Sequence, residues 1–209
     1  FGPTDSFIKT ASGAGGSFGG GNGTAGNPYI ITDVDDLQNM SADLSAHYRL
    51  ANGIDATNTS EWNGGAGFMP IGTNTNSFIG SLDGRGFTII NLTVNRSIWS
   101  YVGLFGYIGS GSSVTNVSLL HNDVTGYDYV GGFAGYNDGD ITNCSATGNA
   151  SGTGGYVGGF AGANAGTITN CSATGDASGS RFVGGFVGEK NGGSITNCSA
   201  TGNASGTDY

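Results

Sequence analysis

From Tyr101 onward the apolar positions return on a fixed beat: YVGGFAGYNDGDITNCSATGNASG at Tyr129 is nearly rewritten as YVGGFAGANAGTITNCSATGDASG at Tyr156. Aligning four such units puts Val102, Val130, Val157 and Val183 in one column. Phe105, Phe133, Phe160 and Phe186 form a second, and Val114, Ile141, Ile168 and Ile195 a third. Glycines at 103, 131, 158 and 184, and again at 106, 135, 162 and 188, mark the corners where the chain bends between short strands. Cys144, Cys171 and Cys198 fall 27 residues apart. A fixed period of this size predicts a β-solenoid, in which each unit completes one coil and like residues stack on like.

Upstream the beat is lost. Residues 1–27 read as a Gly-rich arm whose apolar spots, Phe7, Ile8 and Phe18, are candidates for docking on a partner surface. Residues 28–76 read as an entry and cap segment. Thr32 or Asp33 caps a short helix beginning near Val34, and Leu37, Met40 and Leu44 form an apolar stripe that closes the core. A strand at Tyr48 to Leu50 and an ordered loop over 52–75 follow. The solenoid is expected over 77–209, with Ile89, Leu92 and Val94 pointing inward in its first turn. The last unit stops at Tyr209, where another YVGG would begin. Its edge is expected to recruit a second copy head to tail, with Tyr209 and the three arm residues as assembly candidates.

Composition narrows the function. The chain has 43 glycines in 209 residues and only 10% charged residues, and its net charge of -9 repels a nucleic acid. No apolar run is long enough for a transmembrane segment. Eleven Asn-x-Ser/Thr triplets suit an extracellular or cell-surface protein. Asn149 and Asn203 are the leading glycosylation candidates, followed by Asn22, Asn58 and Asn95. Asn116, Asn143, Asn170 and Asn197 stand at a corner, where stacked amides form a ladder and leave no room for sugar.

The chemistry is sparse. Val117, Cys144, Cys171 and Cys198 share one column, so the slot accepts a small hydrophobe and the thiols either pack there or pair as a disulfide. A row of thiols lacks the tetrahedral arrangement of a metal site, and neither His47 nor His121 joins it. No metal, cofactor or catalytic residue is expected. Asp138 and Asp140 recur in no other unit and read as solvated loop residues. Tyr101, Tyr127, Tyr129, Tyr136 and Tyr156 are candidates for stacking on surface glycans, or else corner packing. The threonine columns at 142, 169 and 196 and at 147, 174 and 201 are ordinary for solvent-facing strands.

The YVGLFG and YVGGFAG starts followed by ITNCSATG resemble the GLUG motif repeat of secreted microbial surface proteins. PYIITDVDDLQNM, GFMPIG and SFIGSLDGRGFTIINLTV resemble the segment that precedes such repeats. The resemblance implies an all-β right-handed parallel β-helix with no catalytic residues of its own. The combined reading is a non-enzymatic extracellular protein that assembles with itself into a fibre, sheath or surface layer. The alternative is an adhesin or glycan-binding module of a larger secreted protein.

Overall fold

The computed structural model describes residues 18–207, so the assembly candidates Phe7, Ile8 and Tyr209 lie outside the described residues. The fold is an all-β solenoid of parallel strands with one short helix near its start. Each coil visits four faces. The first face is a seven-stranded sheet running from Tyr29–Ile31 through His47–Leu50, Ser81–Asp83, Ser113–Thr115, Asp140–Thr142 and Thr167–Thr169 to Ser194–Thr196. The second is built around the long strands Ser118–Gly126 and Ser145–Gly152. The third and fourth are four-stranded sheets, Ser100–Val102 to Val183–Gly184 and Phe105–Ile108 to Val187–Lys190.

The predicted columns are the core. Val102, Val130, Val157 and Val183 are ladder partners, as are Val114, Ile141, Ile168 and Ile195. The first-face file continues upward through Leu82 and Tyr48 to Tyr29. Stacking therefore begins at Tyr29 rather than at 77, and the segment read as a loop supplies buried Phe68 and Ile71 to the core.

One column needs correction. Phe105 pairs with Ala134, not Phe133. Between its two corner glycines the first unit has two residues, Leu104 and Phe105, where the next has three, Gly132 to Ala134. The corner is one residue shorter, so Leu104, fully buried, comes level with Phe133. The rings of Phe105 and Phe133 still meet, tilted, at 6.0 Å.

An aromatic spine links the ends. Phe18, Tyr29, Tyr48, Phe78, Phe105, Phe133, Phe160 and Phe186 contact one another in sequence at centroid distances between 4.5 and 6.4 Å. Phe18, expected in a free arm, stacks on Tyr29 and belongs to the cap.

The N-terminal end is sealed. Asp33 caps helix Val34–Asn39 by accepting from the Asp36 amide at 2.8 Å, and Leu37 and Met40 are buried beneath it. The Gln38 side chain takes the place of a neighbouring strand: its Oε1 accepts from the Met69 amide at 2.8 Å and its Nε2 donates to the Met69 carbonyl at 3.0 Å. Residues 19–23 cover the first sheet edge. Ile30 accepts from Gly19 and donates to Gly20, and His47 donates to Gly23. These bonds use groups that an exposed edge would offer to another chain. At the other end Phe186, Ile195 and Cys198 are only half-buried and Ala200 is exposed, lining an open recess.

Candidate functional site

Stacking turns single residues into continuous files on the outside as well. Asn116, Asn143, Asn170 and Asn197 adopt left-handed φ values of 54 to 57°, a conformation that asparagine tolerates better than most residues. Each Nδ2 donates to the Oδ1 one coil above: Asn143 to Asn116 and Asn170 to Asn143 at 3.2 Å, and Asn197 to Asn170 at 3.3 Å. The file ends on Asp83, whose Oδ1 accepts from Asn116 at 3.1 Å. This is the amide ladder expected at the corner. Asn170→Ala leaves a left-handed residue without the side-chain amide that eases that conformation and breaks two ladder bonds, with an expected loss of about 2 kcal/mol. Asn170→Gly keeps the backbone relaxed and loses about 1 kcal/mol. Urea unfolding of the two variants separates the contributions.

The cysteines line the inside of the same corner, as free thiols. The Cys144 amide donates to Cys171 Sγ at 3.3 Å and the Cys171 amide to Cys198 Sγ at 3.4 Å, while the Cys144 and Cys171 thiols donate to the Thr142 and Thr169 carbonyls. Sulfur thus caps the Cys144 and Cys171 amides, which the corner takes out of the ladder, while the two threonine carbonyls also accept from the Asn116 and Asn143 amides. Burial pushes the Cys144 thiol well above its ordinary value and keeps it protonated.

A second outer file consists of aromatics in left-handed conformation: Tyr101, Tyr129, Tyr156 and Phe182. Their rings stack nearly parallel at 4.8, 4.6 and 4.8 Å, and Tyr107 and Tyr136 stack beside them at 4.7 Å. The Tyr129 phenol is pushed up to about 12 by burial and then by the neighbouring Tyr156 and Tyr101. Tyr129 and Tyr156 are covered on both faces by neighbouring rings, so a sugar that binds by stacking on an aromatic face finds only their edges and hydroxyls. Tyr127 lies outside the file and is exposed. Phe182, which the tyrosine pattern did not reveal, is 58% exposed at the end of the file.

Sequence reasoning also missed an inner amide pair. Asn137 and Asn164 are fully buried, and Asn137 Nδ2 donates to Asn164 Oδ1 at 2.7 Å. The signal was present one residue from Asp138, in the aligned YND and ANA triplets, where asparagine recurs at the same place. Both side chains also bond backbone two residues on and so shape the turn.

The polar side chains are spread along files. Among the described residues no three of His, Cys, Asp and Glu gather where they could hold a metal ion, and no helix is long and apolar enough to cross a membrane. His47 Nδ1 lies 2.7 Å from Ser81 Oγ on the first face, whereas His121 sits at a bulge on the second. Of the glycosylation candidates, Asn22, Asn58, Asn95, Asn149 and Asn203 are all exposed. Asn91, by contrast, commits its Nδ2 to Thr57.

The comparisons agree with this geometry. The GLUG motif family matches residues 126–151, 153–178 and 179–205. The chain is 48% identical over 123 residues to halomucin from Haloquadratum walsbyi, a match covering 56% of this chain and 1% of that protein. It is 39% identical over 131 residues to a "Putative Gly-rich membrane protein" from Evansella cellulosilytica, covering 60% of this chain and 15% of that one. The chain thus spans only a small part of either relative. A crystal structure of "a putative immunoglobulin A1 protease" from Bacteroides ovatus superposes with a TM-score of 0.67 over 90% of this chain and 70% of that one, at 23% identity. That likeness is one of fold. The three matched stretches lie in register on stacked parallel coils, so the chain is a β-solenoid that carries GLUG motifs.

Proposed function

We propose that the chain is a non-enzymatic scaffold segment of a cell-surface protein, a β-solenoid covered over its first described coil and open at its last described one. The asymmetry of the two ends carries this reading. At the head, Gln38, residues 19–23 and the capping helix occupy the strand edges. At the tail the same files run out to solvent at Phe182, Phe186, Ile195, Asn197 and Cys198. Those residues fit another coil with the same column chemistry. A relative called halomucin and another called a Gly-rich membrane protein, both far longer than this chain, favour an extracellular setting and a longer array.

The sealed head removes the acceptor that a head-to-tail fibre needs, so self-association of this chain runs through the tail. Sedimentation of the purified chain should show a concentration-dependent dimer, and negative-stain microscopy no filaments. Ile195→Asp, which places a charge on the open edge, should abolish the dimer. Regular filaments would overturn the scaffold reading in favour of a fibre subunit. Labelling intact source cells with a membrane-impermeant reagent tests the location, and a chain protected until lysis is not a surface protein.

A further inference from the structure

We infer that Asn149 and Asn203 carry N-linked glycans, and that the file they share presents sugar on every second coil. The file runs Asp123, Asn149, Asp176, Asn203 along the second face. Asp123 is the ladder partner of Asn149, and the alanines that follow Asn149, Asp176 and Asn203 are partners in turn. Both asparagines are exposed and each begins an Asn-Ala-Ser triplet, Asn149 within strand Ser145–Gly152 and Asn203 just before strand Ala204–Gly206, with asparagine and serine on the outer face.

The hydrogen bonds say why the alternation works. Asn149 Oδ1 accepts from the Asp176 amide at 3.0 Å, and Asp176 Oδ1 accepts from the Asn203 amide at 2.8 Å. Aspartate therefore performs the same structural task as asparagine here while offering no nitrogen to a glycan. Among the described residues Asn149 donates no side-chain hydrogen bond, which leaves its Nδ2 open to modification. The corner asparagines differ on both counts: their Nδ2 atoms are tied into the ladder, and they recur on every coil. Successive coils are about 4.8 Å apart, too close for a sugar on each, whereas alternate coils give about 10 Å. Asp176 keeps the spacing.

The inference rests on the extracellular reading, and its test is made independent of it. The chain is fused to a secretory leader, expressed in a host that N-glycosylates exported proteins, and collected from the medium. Deglycosylation in heavy-oxygen water followed by peptide mass spectrometry reads each site. The expected result is label at Asn149 and Asn203 and none at Asn116, Asn143, Asn170 or Asn197. Ser151→Ala should remove one glycan from the intact mass. Asp176→Asn completes a third triplet without losing the acceptor, and each molecule should still carry at most two glycans among the three sites. Sugar on the corner ladder, bare Asn149 and Asn203, or three occupied consecutive coils in the Asp176→Asn protein would overturn the proposal.

Discussion

Phe160→Ala is expected to cost about 4 kcal/mol and to unravel the solenoid from its open end. Phe160 is fully buried and lies between two rings nearly parallel to its own, Phe133 at 4.8 Å and Phe186 at 5.0 Å. Truncation leaves a cavity whose floor and ceiling are held by the strand ladders, so collapse cannot fill it. Because each coil contacts only its neighbours, the loss is local before it is global. Hydrogen exchange should show amides from Ala161 to Thr201 losing protection while those of Tyr29–Ile31 and His47–Leu50, held under the cap, retain it. Phe186→Ala, at a position already half-exposed, should cost roughly half as much. A loss below about 1 kcal/mol for Phe160→Ala, or equal loss of protection along the chain, would contradict a stack read as the main support of the core.

What the sequence revealed depended on repetition. Where units repeat closely, from Tyr129 onward, near-identical wording at a spacing of 26 or 27 residues fixes which residues stack, and the valine and isoleucine columns, the amide ladder and the thiol row were all readable. The shortened corner at Leu104 and Phe105 was not. LFG and GGFAG share a phenylalanine, and aligning the rings hides the missing residue that the ladder resolves in favour of the glycines. The cap was hidden for a different reason. Residues 19–27 are Gly-rich and polar, the composition of a flexible arm, and only Phe18 finding Tyr29 turns that segment into a lid. The left-handed tyrosines carried no warning either, because tyrosine gives no hint of positive φ. That conformation belongs to the corner, and the stacked neighbouring rings help to hold it.

Gly162→Ala, a change of one methyl group, is expected to rank beside the phenylalanine truncation. A β-carbon at Gly162 would stand 2.6 Å from the Gly135 carbonyl oxygen, the Tyr129 carbonyl carbon and the Val130 nitrogen. All three are backbone atoms of the preceding coil, so no rotamer change relieves the clash and the coils must separate. Overpacking of this kind costs about 1 to 3 kcal/mol, and the backbone contacts place this case near the upper end. Gly26→Ala is the matched control: nothing lies within 4 Å of its added carbon, and the expected change is within about 0.5 kcal/mol. The aromatic file provides a second readout. Gly162 packs against the backbone of Tyr129, whose ring lies 4.6 Å from that of Tyr156. Parting the coils exposes the phenol, and an alkaline absorbance titration should show its ionisation falling from about 12 toward the ordinary tyrosine value of about 10. If the two glycine variants unfold at the same urea concentration and titrate alike, close backbone approach at this corner is not what sets the coil spacing.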